Sequence, residues 1–137
     1  MTAIVTYIGN LRTQAEHVQS GTLIETDAPV DNQGTGSCFS PTDLVATALG
    51  TCLATIMGIK ARDKGVSMEG TRFEITKKML ASPRRIGEII VDIHFPDNGV
   101  LSDADRDTLE KAAMTCPVLA SLHPETKKEI SFYPSRS

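Results

Sequence analysis

Two cysteines, Cys52 and Cys116, are the side chains of this sequence best suited to covalent chemistry. A cysteine reacts as a thiolate, and a redox cycle also needs a second thiol within reach of a disulfide. The spacing of the two residues along the chain does not show that they meet. Free cysteines are among the most frequently buried residues, so a purely structural role stays open beside the chemical one.

The local sequences around the two cysteines differ. Pro117 suits the first position of a helix, which puts Cys116 at a helix N-terminus, where backbone N–H groups favour an anion. Cys52 lies about three turns into its own predicted helix, too far from the helix end for that effect. Activation of Cys52 would therefore require a neighbouring cation.

One long helix from Ser40 to Gly65 is predicted to position Cys52. Ser40 can cap the first turn, Pro41 suits the first helical position, and Asp43 completes the spacing of a capping box. Basic residues crowd the last turn, and Gly65 can adopt the left-handed conformation that closes a helix.

This helix is predicted to be buried on most sides, because charged residues are almost absent from its middle. Five residues share the face that carries the thiol: Val45, Ala48, Cys52, Ile56 and Ile59. Cys52 is therefore predicted to point into a packed environment rather than into water.

The remaining elements predict an α+β fold. Period-two patterns and β-branched residues indicate strands, turn residues separate them, and acidic or proline starts indicate two further helical segments. The strands are predicted at 2–9, 11–18, 22–26, 69–80, 86–95 and 128–133, a loop at 27–39, and the helices at 102–116 and 117–122. The order predicts one domain over residues 1–137, with antiparallel pairing and helices packed on one face.

Composition and charge exclude several function classes. The formal net charge is -3, and no basic run interleaves with aromatic residues, so a nucleic-acid partner is not expected. The sequence shows no signal peptide, and no apolar run approaches the ~20 residues of a membrane span. A soluble cytoplasmic protein is therefore expected.

The cysteines and histidines do not form a metal or disulfide pattern. Three cysteines are an odd number, no Cys-x-x-Cys pair occurs, and the three histidines lack metal-ligand spacing. A structural zinc site and a disulfide framework are not expected. Cys38, in the loop before the long helix, is interpreted as a bystander thiol.

Two motifs together resemble the OsmC/Ohr family of thiol-dependent peroxidases. The first is S-P-T-D-L-V-A-T-A-L-G-T-C, which ends at Cys52, and the second is A-A-M-T-C-P-V-L-A-S-L, which contains Cys116. The order of strands and helices also resembles that family along essentially the whole chain.

The resemblance implies a fold and a mechanism. The implied fold is an intertwined homodimer, with antiparallel sheets around a long central helix and active sites at the dimer interface. Cys52 would attack the O–O bond of an organic hydroperoxide, and of hydrogen peroxide less well, and become a sulfenic acid. Cys116 would resolve it as a disulfide that an external dithiol reduces, with no metal or organic cofactor.

One position departs from the family pattern. Family peroxidases place a glutamate where this sequence has Thr42, and that glutamate orients the arginine that activates the thiolate. Asp43 follows, but on the opposite side of the helix from Cys52. The resemblance implies Arg12 as the activating arginine, since it falls where the family's arginine does, with Arg62 and Arg72 as poorer candidates.

Two other functions stay open, and the departure at Thr42 motivates the first of them. One is a non-enzymatic protein that binds a small apolar ligand at the dimer interface. The other is a redox sensor, in which the disulfide alters a surface that a partner recognises.

Overall fold

A computed structural model describes residues 1–134 of the protein. The chain forms two compact units, residues 1–45 and the residues from 46 onward. The first unit is an antiparallel sheet with the strand order β1-β2-β3. Its strands are β1 (Ala3–Gly9), β2 (Arg12–His17) and β3 (Leu23–Asp27), close to the predicted bounds. The prediction of one domain over residues 1–137 stays a prediction.

A tight turn joins β1 to β2. Asn10 and Leu11 both have positive φ angles, of 56° and 62°, as a type I′ hairpin turn requires. The turn places Arg12 at the first position of β2. After β3, the predicted loop at 27–39 contains a single 3₁₀ turn at Val30–Asn32.

The long helix, α1 (Pro41–Lys64), starts and ends as predicted. Ser40 and Asp43 form a reciprocal capping box: the Ser40 N–H donates to Asp43 Oδ2 at 3.0 Å, and the Asp43 N–H donates to Ser40 Oγ at 3.1 Å. At the other end, Gly65 has a φ of 70°. The N–H groups of Gly65 and Val66 donate to the Arg62 and Ala61 carbonyls, which is the Schellman arrangement.

The buried face of α1 differs from the predicted one. The buried residues are Ala46, Leu49, Gly50, Leu53, Met57 and Ala61. Val45 and Ile59, expected on a packed face, are 42 % and 54 % exposed, and Cys52 is only half-buried. The prediction of a helix buried on most sides is therefore wrong for this chain. Low charge marks a helix as apolar, but it does not show which side meets the core.

The second unit packs a sheet against helices. It contains β4 (Arg72–Leu80), β5 (Arg85–His94), α2 (Asp103–Ala113), α3 (Pro117–Ser121) and β6 (Lys127–Tyr133), with the strand order β4-β5-β6. β5 supplies alternate side chains to the core, and α1 and α2 supply the rest. The fully buried ones are Leu49, Leu53, Met57, Ile89, Val91, Ile93, Leu109 and Ala113.

One strand pairing corrects the sequence prediction. β4 and β5 pair antiparallel as expected, but β5 and β6 pair parallel. The chain runs through α2 and α3 between these two strands, and such a helical crossover returns it in the same direction. The mixed α+β class, with two antiparallel-rich sheets and a long central helix, is confirmed.

Helix α1 also corrects the expectation about apolar length. Its 24 residues include an 18-residue window with a mean hydropathy of 1.6, long and apolar enough to cross a membrane. About 33 % of that window is buried within the protein. Leu49, Leu53 and Met57 of α1 belong to the core of the second unit. A core helix of a soluble protein meets the same criterion, so length and composition alone are weak evidence for a membrane span.

Candidate active site

The second unit brings Cys52 and Cys116 close together. Cys52 projects from the middle of α1, and Cys116 caps the N-terminus of α3. The two side chains pack in the same core cluster and lie close enough for Cys52 to influence the titration of Cys116. Both cysteines are reduced in the structure. Two thiols that are distant in sequence therefore lie close together in space, as the formation of a disulfide between them requires.

Cys116 is held as a thiol. It is buried, with 1 % of its surface exposed, and its Sγ accepts a hydrogen bond from the Leu119 N–H at 3.4 Å. Burial raises the pKa of Cys116 above its ordinary value of 9.0, and the neighbouring Cys52 side chain raises it further. The Leu119 N–H lowers the pKa, but by less. The helix-end effect expected from Pro117 is therefore present and is outweighed by burial.

Cys52 has the more open environment. Cys52 is half-buried and packs against the edge of the hydrophobic core, whereas Cys116 is part of that core. The pair therefore consists of an accessible thiol and a buried one that holds its proton.

A groove runs between α1 and α2 close to this pair. It begins at Ile56, one helical turn beyond Cys52, and reaches Thr115, the neighbour of Cys116. Its volume is about 500 Å³. The other lining residues are Ile59, Lys60, Asp63, Thr108, Lys111 and Ala112. A lining that combines apolar residues with Lys60, Asp63 and Lys111 suits an organic molecule that carries a polar group.

Arg12 contacts a different cysteine from the predicted one. Within the first unit, its Nη2 donates to Cys38 Sγ at 3.0 Å and to Glu25 Oε2 at 3.1 Å. The predicted action of Arg12 on Cys52, which belongs to the second unit, stays a prediction. Thr42, at the position of the family glutamate, lies 3.3 Å from Ser40 through the two hydroxyl oxygens.

Sequence reasoning missed three residues around Arg12. Glu25 and Asp27 lie on the strand that pairs with β2, where Asp27 is opposite Arg12 and Glu25 is two residues along. Hairpin register could have indicated these two neighbours. Cys38 was interpreted as a bystander, and no local signal places it against β2, because that contact depends on the path of the loop.

Among residues 1–134, no group of three or more His, Cys, Asp and Glu side chains is arranged to hold a metal ion.

Comparison with known proteins supplies the family. The model of the OsmC-like protein family matches residues 34–131, a range that contains both cysteine motifs. The chain belongs to the OsmC family. A crystal structure from Psychrobacter arcticus 273-4, named as an osmotic stress induced and detoxification response protein, is similar along nearly its whole length. The two sequences are 49 % identical, the match covers 97 % of this chain and 96 % of the Psychrobacter chain, and the structures superpose with a TM-score of 0.91.

More distant OsmC-like structures share the fold. An organic hydroperoxide resistance protein OsmC from Legionella pneumophila is 17 % identical, with 96 % of each chain covered and a TM-score of 0.73. An organic hydroperoxide resistance protein from Elizabethkingia anophelis is 15 % identical, with 96 % and 95 % covered and a TM-score of 0.71. At these identities the similarity concerns the fold alone. No match was found among the curated proteins.

Proposed function

We propose that this OsmC-family protein is a thiol-dependent peroxidase that reduces organic hydroperoxides. The observation that carries the proposal is the proximity of Cys52 and Cys116, with one thiol accessible and the other buried and protonated. A nucleophile must reach its substrate, whereas a resolving thiol has only to reach the oxidised nucleophile. Cys52 is therefore the peroxidatic residue and Cys116 the resolving one.

The reaction proceeds in two steps on the protein. The Cys52 thiolate attacks the terminal oxygen of the hydroperoxide, the O–O bond breaks, and the products are Cys52 sulfenic acid and an alkoxide that takes up a proton to become an alcohol. The Cys116 sulfur then attacks the sulfenic acid, forming the Cys52–Cys116 disulfide and releasing water. An external dithiol returns both cysteines to thiols.

The groove between α1 and α2 supports an organic substrate. Ile56, one turn beyond Cys52, and Ile59, two turns beyond it, give the groove an apolar lining, so an alkyl group bound there would have its peroxide near the thiol. Hydrogen peroxide has no such group to bind, which agrees with the expected preference for organic hydroperoxides.

The partners and location complete the proposal. The enzyme would act in the cytoplasm as a homodimer, with an external dithiol as reductant. The cytoplasmic assignment is supported by the odd number of cysteines, three, because a disulfide framework typical of secreted domains needs an even number. The dimer is supported by exposed apolar side chains on β1, including Val5 and Tyr7, which are 64 % and 65 % exposed.

Steady-state turnover of cumene hydroperoxide with dithiothreitol tests the proposal. Cys52→Ser should lower kcat by about 10²-fold or more, since it removes the nucleophile. Cys116→Ser should accumulate a sulfenic acid that dimedone traps on Cys52. Thr55→Ser, an exposed substitution on the same helix, is the matched control and should turn over like the unmodified protein.

Two results would contradict the peroxidase. One is the absence of turnover with any dithiol. The other is unchanged activity in Cys52→Ser. If turnover is absent but an apolar ligand binds equally well to the unmodified protein and to Cys52→Ser, the non-enzymatic binding role is favoured instead.

A further inference from the structure

The groove between α1 and α2 has a direction, because the two helices run antiparallel. Cys52, in the middle of α1, lies near Cys116, which follows the end of α2. At the opposite end, Lys64 Nζ, on the last residue of α1, lies 3.5 Å from Asp105 Oδ1 in the first turn of α2. One end of the groove therefore lies by the two thiols, and the other lies by the ion pair of Lys64 with Asp105.

The lining of the groove changes from apolar to charged along this direction. Ile56 lies one turn beyond Cys52, whereas Lys60 and Asp63 lie farther along α1. At 1.5 Å per residue, these two charged positions are about 12 Å and 16 Å from Cys52 along the helix axis. Lys111 of α2 adds a second ammonium group to the lining.

The three charged side chains of the groove are available to a ligand. Lys60, Asp63 and Lys111 are exposed. In the part of the chain that the structure describes, none of them forms an ion pair or a side-chain hydrogen bond. A charged ligand would therefore reach them without breaking an existing ion pair.

Two ammonium groups and one carboxylate favour a ligand that carries both signs of charge. A ligand carboxylate is attracted by Lys60 and Lys111, but Asp63, on the same face of α1 as Lys60, repels it. An ammonium group on the same ligand would pair with Asp63 and replace this repulsion by attraction. A short peptide carries one carboxylate and one ammonium group at its two free ends.

The size of the groove suits a peptide of about three residues. From Ile56 to Asp63, the groove extends about 10 Å along α1, and three extended residues span at most about 10–11 Å. Its volume of about 500 Å³ lies within the usual range of small-molecule sites. Ile56 and Ile59 would contact the apolar side chains of such a peptide on the side of the thiols.

We propose that the substrate of the peroxidase is a hydroperoxide on an apolar side chain of a short peptide with free ends, selected by Lys60, Lys111 and Asp63. This inference rests on the proposed function, because it names the substrate class of the same thiol. The Cys52 sulfur takes the terminal oxygen as the O–O bond breaks and becomes a sulfenic acid. The peptide keeps the other oxygen, which takes up a proton to become a hydroxyl group, and Cys116 and the external dithiol then complete the cycle.

Binding of an unoxidised peptide tests the groove without catalysis. Trileucine is titrated by calorimetry into the reduced Cys52→Ser protein, beside three derivatives: one acetylated at the amino end, one amidated at the carboxyl end, and one blocked at both ends. Each free end should strengthen binding about threefold, as an exposed ion pair does, so trileucine should bind roughly tenfold more tightly than the doubly blocked peptide.

Charge variants assign each end of the peptide to its partner in the groove. Asp63→Asn should remove the advantage of a free amino end and leave that of a free carboxyl end. Lys60→Gln and Lys111→Gln should each reduce the advantage of a free carboxyl end. Lys127→Gln changes a lysine that is 70 % exposed on β6, outside the groove, and should bind all four peptides as before.

Turnover by the unmodified protein links the groove to the reaction. The kcat/KM for trileucine hydroperoxide should exceed that for the doubly blocked hydroperoxide by the same factor of about ten. The inference is overturned by equal binding of the four peptides, by no detectable binding, or by equal kcat/KM values. Tightest binding of the acetylated peptide would also overturn it, and would assign the groove to plain carboxylates.

The outcomes separate this inference from the proposed enzyme. If trileucine binds as predicted but cumene hydroperoxide is not turned over, the peroxidase is contradicted and the peptide site stands as a binding site. If cumene hydroperoxide is turned over but the free ends of trileucine give no advantage, only the substrate class is contradicted.

Discussion

At the residue scale, the two thiols of the second unit differ in their access to solvent. Cys116 is buried and its pKa is raised, whereas Cys52 lies at the edge of the core. This division gives each sulfur a distinct task in the same cycle. A nucleophile as deeply buried as Cys116 would have to expose itself before it met a hydroperoxide, and Cys52 does not.

Asp27 is expected to make the stability of the first unit depend on pH. Hydrogen bonds from Thr35 and Ser37 lower the pKa of Asp27 well below its ordinary value of 3.8. A carboxylate whose pKa is lower in the folded than in the unfolded chain stabilises the fold at pH values above its unfolded-state pKa. This stabilisation is lost progressively as the pH falls from the unfolded-state pKa toward the folded-state pKa. Asp27→Asn should therefore lower the free energy of unfolding at neutral pH, and the difference should narrow below about pH 4.

Urea unfolding at several pH values checks this prediction. Asp97→Asn, at an exposed position of the second unit, is the control and should follow the unmodified protein across the range. A difference between Asp27→Asn and the unmodified protein that stayed constant down to about pH 2 would contradict the assignment.

At the element scale, the close approach of α1 to β4 depends on a glycine. A Cβ on Gly50 would lie 2.4 Å from Ile75 Cδ1 and 3.2 Å from its Cγ1, whereas a Cβ on Gly58 of the same helix meets nothing within 4 Å. Alanine at either position gains about 0.5–1 kcal/mol of helix propensity. At Gly50 the gain is opposed by overpacking, which typically costs about 1–3 kcal/mol.

The two alanine variants therefore separate packing from propensity. Gly58→Ala should raise the free energy of unfolding, and Gly50→Ala should lie about 1–3 kcal/mol below Gly58→Ala, because the propensity gains cancel in the comparison. Chemical denaturation of both variants measures the difference. Equal stabilities would show that Ile75 moves aside without cost.

Local chemistry made the ends of α1 predictable. Ser40, Asp43 and Gly65 act through neighbours a few residues away, so their roles as caps could be predicted from sequence and the structure confirms them. The buried face of α1 could not be predicted in the same way, since the helix is apolar almost all round. Which side packs is decided by β5 and α2, which lie far away in sequence.

The candidate site also combines features that the local sequence predicts with features that depend on distant parts of the chain. The motifs around Cys52 and Cys116 predicted a thiol pair, and the two side chains lie near one another in the structure. Their roles in catalysis stay a prediction. The parallel pairing of β5 with β6 depends on the path of the chain through α2 and α3. The contact of Arg12 with Cys38 depends on how the loop at 27–39 folds against β2. Neither arrangement has a local signature.

At the scale of the whole molecule, the exposed apolar side chains of the first unit suggest a covering partner. Residues on both faces of β1 are exposed: Ile4, Val5, Tyr7 and Ile8. A stable protein interface buries about 1,200–2,000 Å² and has an apolar centre. The proposed homodimer would give these side chains an apolar surface to contact.

Sedimentation velocity tests the homodimer. The unmodified protein should sediment as a dimer, and Val5→Lys should shift it toward the monomer by placing a charge in the buried centre of the interface. Val100→Lys changes an equally apolar exposed residue, 53 % exposed in a loop of the second unit, and should remain a dimer. A monomeric unmodified protein would contradict the proposed assembly.

The most direct test of the central claim is to map the disulfide that forms when the fully reduced protein meets one equivalent of cumene hydroperoxide. The proposed cycle predicts rapid formation of a Cys52–Cys116 disulfide, with one alcohol released per disulfide. If Cys52 and Cys116 remain thiols while the hydroperoxide persists, the proposed peroxidase cycle is contradicted.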